Sequence, residues 1–284
     1  MSGVYIIGEA GINHGGSIAT ACQMIDVAKQ CGADAVKFQT YITERICHIG
    51  NPEYEMLKRC ELSYDDFRSL FAYATAAGID FISTPDTVED AEFLDTLGMR
   101  YMKIGSANAN QPFLLSVKHL KTPLIVSLGM AGKVPYDMWN MVVAMHCVSS
   151  YPCPLDQANV AMVGPDEHMN VLGFSDHTLG PICAIMAVAR GAKFIEKHFT
   201  LDRNAEGPDH AMSVDANGLR AYVDSIRTAE RALGDGVRRV MPCEQKTIDQ
   251  LKARKEPAWG EPGWSCPECG VGPKTEHDPG CPTQ

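Results

Sequence analysis

The sequence has 284 residues, 45% of them hydrophobic, and a formal net charge of -10 at pH 7. A chain of this size can bury a large core as one barrel or as two ordinary domains. The acidic balance disfavours nucleic acid as a partner, and the sequence has neither an apolar run of membrane-spanning length nor a basic, apolar N-terminal signal. We therefore expect a soluble cytoplasmic protein that does not enter a membrane.

Short apolar runs of strand type alternate with helical patterns along the chain. The first strand is predicted over residues 4–9, and a helix with one apolar face follows over residues 17–31. Ser63, three residues before Asp66, is predicted to begin a further helix, which Gly78 ends. Seven more strands are predicted at residues 35–39, 80–83, 101–106, 123–129, 144–149, 171–175 and 193–200.

Eight strands in alternation with helices predict an α/β fold, a (β/α)8 TIM barrel, over residues 1–236. A doubly wound open sheet is the alternative, and the lack of a Gly-rich dinucleotide fingerprint after the first strand disfavours it. After the barrel we predict a linker over residues 237–260 and a short Cys-rich tail over residues 261–284.

Polar residues stand at the C-terminal end of every predicted strand, where barrel enzymes build their active sites. Two of them, Lys37 and Lys103, lie in otherwise apolar strands. A cation there is costly to desolvate unless an anion compensates it. Together with nearby hydroxyls, these lysines predict a phosphate or carboxylate pocket, and the hydroxyls belong to Thr84, Ser106, Ser127 and Ser175.

Two histidines end the last two predicted strands. His177 follows the seventh strand and His198 lies in the eighth, so both imidazoles are expected at one rim of the barrel. Two neutral imidazoles with no nearby thiolate suit a divalent cation that keeps positions open for substrate and water. We therefore predict a divalent metal site at this rim.

The tail contains a second candidate metal site. Its spacing, C-x2-C-x7-H-x3-C, supplies four ligands suited to tetrahedral zinc, namely Cys266, Cys269, His277 and Cys281. The alternative is a disordered tail with incidental cysteines. Residues 237–284 contain seven Lys or Arg and seven Asp or Glu, so the tail has no basic excess that would indicate nucleic-acid binding. Protein contact or dimerisation is the favoured role.

The strand-end segments resemble those of the sialic acid synthase family over residues 4–234. Matching segments follow one another in unbroken order, among them GEAGINHGG at 8–16, GADAVKFQT at 32–40, YMKIGS at 101–106, HCVSSYP at 146–152, SDHTLG at 175–180 and EKHFTL at 196–201. The resemblance implies a cytoplasmic, homodimeric transferase that condenses phosphoenolpyruvate with N-acetylmannosamine or a related amino sugar. The products are a nonulosonic acid and phosphate.

The resemblance also assigns roles to individual residues. Phosphoenolpyruvate is expected to contact Lys37, Thr84, Lys103, Ser106, Ser127 and Ser175. His177 and His198 are expected to hold Mn2+ or Mg2+, which would polarise the sugar aldehyde. Catalysis is assigned to Glu9, Lys37 and Lys103, with Glu9 positioning the attacking water or handling its proton. The sugar is expected to contact Gln39, Asn108, Tyr151 and Asp209.

Three departures from the family pattern carry expectations of their own. Asn108 stands where family members have a sugar-binding glutamate, so the acceptor contact is expected to differ. Only a short segment separates Met130 from His146, which predicts that the fifth barrel helix is short or missing. The Cys-rich tail is expected in place of the family's C-terminal antifreeze-like domain. A degenerate barrel that acts as a binding or scaffold module through its zinc tail is the alternative function.

Overall fold

The structure is a computed structural model that describes residues 3–130, 132–165, 170–253, 265, 266 and 270. The chain divides into two units, Met1–Gly234 and Asp235–Gln284. The first unit contains the barrel. In the second, the segment predicted as a linker contains a helix and a preceding turn, and three of the four predicted zinc ligands, Cys269, His277 and Cys281, lie outside the described residues.

Eight parallel strands form the barrel, which confirms the predicted fold. The sheet runs in the order β3-β2-β1-β9-β8-β6-β5-β4, and a short antiparallel strand, β7, pairs with β8. The strands are β1 (Tyr5–Gly11), β2 (Ala35–Thr40), β3 (Asp80–Pro85), β4 (Met102–Ile104), β5 (Leu124–Ser127), β6 (Val142–His146), β7 (Gly164–Pro165), β8 (Asn170–Asp176) and β9 (Phe194–His198).

Helices follow most of the strands and cover the outside of the barrel. In the first unit the helices are α1 (Ile18–Gln30), α2 (Thr43–Ile46), α3 (Tyr54–Cys60), α4 (Tyr64–Ala77), α5 (Val88–Asp95), α6 (Gln111–Val117), α7 (Ile182–Ala189) and α8 (Ala216–Leu233). The second unit contains α9 (Gln245–Ala253). The predicted limits of α4 are confirmed: Ser63 and Asp66 form a reciprocal capping box, and Gly78 ends the helix with φ 73°.

The barrel interior has an apolar floor beneath a polar layer. A buried cluster fills the floor, with Ile7, Ala35, Ile82, Ile125, Met145 and Phe194 among its members. Because alternate residues of a strand share one face, the residue two positions after each of these points into the same interior, one layer higher. Those residues are Glu9, Lys37, Thr84, Ser127, Cys147 and Glu196. The two-residue period therefore delivers the polar groups to the C-terminal mouth.

The wall between β5 and β6 departs from a regular barrel. In the described residues between these strands the only helical element is a 3-10 turn over Tyr136–Met138, which confirms the predicted loss of the fifth helix. Met138 is 1% exposed and packs into the core that a full helix would otherwise cover. Its neighbour Tyr136 is 80% exposed. Met138, together with the buried Val134, thus covers part of the core that the absent helix would cover.

The turn after β1 docks against α3. Gly16 has φ 79°, and a Cβ built there would lie 2.1 Å from the Arg59 carbonyl oxygen. The preceding glycine, Gly15, also has positive φ (58°), but no atom lies within 4 Å of its Cβ position. Only Gly16 therefore combines a left-handed backbone with a close approach of another segment.

We expect Gly16→Ala to destabilise the protein far more than Gly15→Ala. Both substitutions carry the left-handed penalty of about 1 kcal/mol, but only Gly16→Ala forces the Arg59 backbone to move, at a further cost of about 1–3 kcal/mol. Chemical denaturation of the two variants measures the difference in free energy of unfolding. Equal losses in both variants would contradict the docking contact.

No helix in the described part of the chain is both long enough and apolar enough to cross a membrane.

Candidate active site

A cavity of about 350 Å³ opens at the C-terminal mouth of the barrel. Every predicted site residue of the barrel except Asn108 lines it. These residues are Glu9, Lys37, Gln39, Thr84, Lys103, Ser106, Ser127, Tyr151, Ser175, His177, His198 and Asp209. The parallel strands thus gather side chains that lie up to 200 positions apart in the sequence, because all their C-terminal ends meet at one rim.

Two lysines and two glutamates form a buried charged cluster at the bottom of the cavity. The Lys37 Nζ lies 3.0 Å from Glu9 Oε2 and 3.6 Å from Glu196 Oε2, and the Lys103 Nζ lies 3.7 Å from Glu196 Oε1. All four residues are at most 4% exposed. Carboxyl groups within 4 Å of both lysines offset part of the cost of burying their ammonium groups, and each ammonium group still faces the cavity.

The pKa values in this cluster follow from burial and from the neighbouring charges. Burial raises the pKa of Glu9 to about 8, an effect that Lys37 partly opposes. Burial also disfavours the ionised form of Glu196, but Lys103 and Lys37 outweigh it and hold its pKa far below the usual range. Burial lowers the pKa of Lys103, with Glu196 opposing the shift. Glu196 is therefore the permanent anion, and Glu9 is the carboxyl able to exchange a proton near neutral pH.

Hydroxyl groups surround the two ammonium groups. The Lys37 Nζ donates to Thr84 Oγ1 at 2.9 Å, and the Lys103 Nζ donates to Ser127 Oγ at 2.7 Å. On the far side, Ser175 Oγ donates to Glu196 Oε1 at 2.7 Å. Two buried ammonium groups with nearby hydroxyls form a site suited to an anion that carries phosphate or carboxylate oxygens.

His177 and His198 face one another across the upper part of the cavity, with ring centroids 5.7 Å apart. His177 Nδ1 lies 2.6 Å from the Val148 carbonyl oxygen, which fixes that ring as an Nδ1–H donor. His198 Nδ1 is buried without a hydrogen-bond partner in the described residues. The Tyr151 ring lies 4.2 Å from the His177 ring and forms the adjacent wall.

The histidine pair fits part of a divalent-metal site. Burial lowers the pKa of both imidazoles, and in His198 the facing His177 lowers it further, so both rings are neutral at neutral pH, as metal ligation requires. His198 Nδ1 makes no hydrogen bond in the described residues, and the nearest carboxylate oxygen, Asp209 Oδ2, lies 3.9 Å away. Among the described residues, no group of three or more His, Cys, Asp or Glu side chains is arranged to bind a metal. A cation held here would therefore complete its coordination with water or substrate.

The predicted sugar contacts separate into two groups. Gln39, Tyr151 and Asp209 line the cavity mouth. Asn108 does not line it: this residue lies in the 3-10 turn over Ser106–Asn108, and its amide Nδ2 donates to the Asp86 carbonyl at 3.3 Å. The tight turn directs the amide toward neighbouring backbone. The structure thus does not bring Asn108 together with the other predicted sugar contacts.

Other cavity residues had no role in the sequence prediction. Glu196 lies two positions before His198 on β9, so the strand period alone was a signal that it shares the inward face. Cys147 lies two positions after the inward-facing Met145, so the same period predicts that its side chain also points inward. By contrast, no pattern in the sequence predicted that α3 would contribute Met56 and Leu57 to the wall, because a helix inserted into a strand–helix connection has no fixed position in the barrel pattern.

Gly129 is the point of closest packing behind the anion pocket. A Cβ there would lie 2.5 Å from Ser149 Oγ, 2.6 Å from Ser106 Oγ and 2.8 Å from Cys147 Sγ. Its backbone N–H also donates to Ser106 Oγ at 3.2 Å. The absence of a side chain at this position is therefore what allows the Ser106 hydroxyl to sit at the pocket wall.

We expect Gly129→Ala to weaken anion binding at the pocket by about 10-fold or more, because the methyl group displaces Ser106 and Cys147 from their positions. Gly105→Ala is the matched control, since its Cβ position is only in ordinary contact, 3.6 Å from Thr84 Cγ2. Phosphoenolpyruvate titration by calorimetry measures both. Unchanged affinity in Gly129→Ala would show that Ser106 does not set the pocket shape.

Comparisons with known proteins agree with one another. A model of the NeuB family matches residues 24–238. The chain is 37% identical to an N,N'-diacetyllegionaminic acid synthase of Legionella pneumophila (82% of this chain, 74% of the relative) and 35% identical to a pseudaminic acid synthase of Campylobacter jejuni (82% and 76%). The structure is similar to that of an N-acetylneuraminic acid (sialic acid) synthetase of Leptospira borgpetersenii, with TM-score 0.76, 29% identity and coverage of 90% of this chain and 93% of that chain. The relatives are synthases of nonulosonic acids, and the chain belongs to the NeuB family.

Proposed function

We propose that the protein condenses phosphoenolpyruvate with the open-chain aldehyde of an N-acetylated amino sugar, giving a nonulosonic acid and inorganic phosphate. The observation that carries the proposal is the pair of buried lysines, Lys37 and Lys103, which face a cavity also lined by Glu9 and two neutral histidines. A scaffold protein without a reaction would have no need for a buried, water-poor cluster of this composition.

Phosphoenolpyruvate fits the lower part of the cavity by charge. Its phosphate and carboxylate groups are anions, and the two ammonium groups and the surrounding hydroxyls can donate hydrogen bonds to both. On binding, the lysines exchange part of their interaction with Glu9 and Glu196 for the substrate. Glu9 and Glu196 then hold the lysines in place beneath the substrate.

The proposed reaction balances as follows. C3 of phosphoenolpyruvate forms a bond to the aldehyde carbon, and the aldehyde oxygen takes a proton. Water adds to the cationic C2 and loses a proton, which gives a tetrahedral intermediate carrying both hydroxyl and phosphate. The C2–O bond to phosphate breaks, the C2 hydroxyl gives up its proton as C2 becomes a ketone, and phosphate leaves with that proton.

Glu9 is placed to handle the proton of that water. Its carboxyl lines the cavity, and its Oε2 lies 3.0 Å from Lys37 Nζ. A carboxyl with its pKa raised to about 8 exchanges protons readily near neutral pH. Glu196 is unsuited to this role because the two lysines keep it ionised.

His177 and His198 would hold a divalent cation, Mn2+ or Mg2+, at the upper end of the cavity. When bound, such a cation acts as a Lewis acid toward a carbonyl oxygen. The protein side of this site is already organised, because the Val148 carbonyl orients His177 and Tyr151 packs against its ring. Gln39, Tyr151 and Asp209 would contact the sugar at the mouth.

The test is phosphate release from phosphoenolpyruvate in the presence of Mn2+ across a panel of N-acetylated amino sugars. The panel includes N-acetylmannosamine, the diacetylated precursor of legionaminic acid and the precursor of pseudaminic acid. We expect release that depends on one acceptor and falls about 100-fold or more in His177→Ala.

His119→Ala is the matched control, because this histidine is exposed and lies outside the cavity. It should retain full activity. Absence of release with every acceptor from a folded, Mn2+-loaded protein would overturn the proposal and favour a barrel that only binds its ligands.

A further inference from the structure

A second buried charged cluster lies directly behind the histidines, on the opposite face of the same strands. Asp176 precedes His177, and Lys197 precedes His198. Since alternate residues point to opposite faces, these two side chains point away from the cavity, toward the helical layer. Both are nearly inaccessible, at 1% and 3% exposed, and neither lines the cavity described above.

Asp176 and Lys197 contact the turn at Thr178 and Tyr222 of α8. Asp176 Oδ1 accepts from the Thr178 N–H at 2.9 Å and from Thr178 Oγ1 at 2.7 Å. Asp176 Oδ2 accepts from the Tyr222 hydroxyl at 2.8 Å and lies 3.5 Å from Lys197 Nζ. Lys197 also donates to the Thr178 carbonyl and lies over the Tyr222 ring, 5.2 Å from its centroid.

Stability alone is a weak reason for such a cluster. Buried ion pairs are often no more stabilising than apolar residues of similar size, because desolvation offsets the attraction. Their directional contacts, however, fix backbone position. Here the fixed backbone is that of the segment around His177 and of the β9 end that carries His198, and the two strands are paired at Asp176 and Lys197.

His198 depends most on this backbone anchoring. The Val148 carbonyl supports the His177 ring at 2.6 Å, whereas His198 Nδ1 makes no hydrogen bond in the described residues and has only Asp209 Oδ2 nearby, at 3.9 Å. We propose that Asp176, Lys197 and Tyr222 form a positioning cluster that sets the spacing of the two imidazoles for a divalent cation. This inference rests on the metal site of the proposed function.

The test compares two Tyr→Phe variants that each lose one buried hydroxyl. Tyr222→Phe removes the hydrogen bond to Asp176 and keeps the ring beneath Lys197. Tyr5→Phe is the matched control, because the Tyr5 hydroxyl donates to Asp80 Oδ2 at 2.6 Å on the barrel floor and the residue is 4% exposed. The dissociation constant for Mn2+ alone is measured by the electron paramagnetic resonance signal of free Mn2+, and phosphoenolpyruvate affinity is measured separately in a chelator.

We expect Tyr222→Phe to weaken Mn2+ binding about 10-fold, and Tyr5→Phe to change it less than about 2-fold, with similar melting temperatures in the two variants. Phosphoenolpyruvate affinity in the chelator should stay at the wild-type value in both. If Tyr222→Phe fails to fold, Thr178→Val removes a single donor to Asp176 and should weaken Mn2+ binding in the same direction.

Wild-type Mn2+ affinity in Tyr222→Phe, or an equal loss in Tyr5→Phe, would overturn the positioning role while leaving the metal site intact. If the wild-type protein itself binds no Mn2+, the metal site and this inference both fail. Phosphoenolpyruvate binding in the chelator then still tests the remainder of the proposed function.

Discussion

Replacing Lys103 by methionine is expected to lower kcat/KM for phosphoenolpyruvate about 100- to 1,000-fold. The change removes an ammonium group that faces the cavity and that donates to Ser127. Charge-assisted hydrogen bonds in a buried site contribute about 1.5–3 kcal/mol each, and an anionic substrate can use more than one. The loss should appear chiefly in phosphoenolpyruvate affinity, measured by calorimetry and by initial rates of phosphate release.

The same substitution also leaves Glu196 with Lys37 as its remaining cation in the cluster, so some loss of stability is expected. Chemical denaturation separates this loss from the effect on binding. Lys118→Met is the matched control, because Lys118 is half exposed and pairs with Asp137 at the surface. A Lys103→Met protein that is folded and binds phosphoenolpyruvate normally would refute the anion pocket.

Glu9→Gln is expected to lower kcat about 100-fold or more without weakening phosphoenolpyruvate binding. The amide keeps the size of the carboxyl but cannot exchange the proton, and general acid–base groups typically contribute about 10²–10⁴-fold. Binding should be retained, because a carboxyl with its pKa raised to about 8 is largely neutral at pH 7, so the amide changes the charge beside Lys37 little.

Single-turnover measurements at saturating substrates report the chemical step for this variant, and calorimetry reports the affinity. Glu55→Gln serves as the control, since Glu55 is an exposed residue on α3 that does not line the cavity. Full activity in Glu9→Gln would exclude a proton-transfer role for this carboxyl and leave it a structural partner of Lys37.

The eight strands could be predicted from sequence because each is a short apolar run with clear end signals. The limits of α4 were predictable for a local reason, since the Ser63–Asp66 capping box and the αL conformation of Gly78 depend on nearby residues alone. The missing helix after β5 was predictable from the length of one segment. The residues between Met130 and His146 are too few to contain a strand, a full helix and two connections.

Most predicted site residues came from the rule that strand ends of a barrel converge, and the family resemblance added their roles; Asn108 and Asp209 came from the resemblance alone. A match between sequence segments does not show how a side chain in a turn is oriented. Asn108 sits in such a turn, and its amide bonds to the backbone at Asp86 instead of lining the cavity. The strand-end rule does not predict where an inserted helix lies, so the contribution of α3 to the cavity wall became visible only in the structure.

The sequence by itself determined the order of strands and helices, the inward-facing residues and the identity of the polar layer, because these follow from local periodicity and from chain length. Tertiary structure decided the charge balance between Lys37, Lys103, Glu9 and Glu196, the packing at Gly129 and the cluster behind the histidines. Each of these depends on distances of a few ångströms between side chains from different strands and helices. Coulomb interaction, desolvation and steric contact change steeply over such distances, whereas sequence patterns constrain them only loosely.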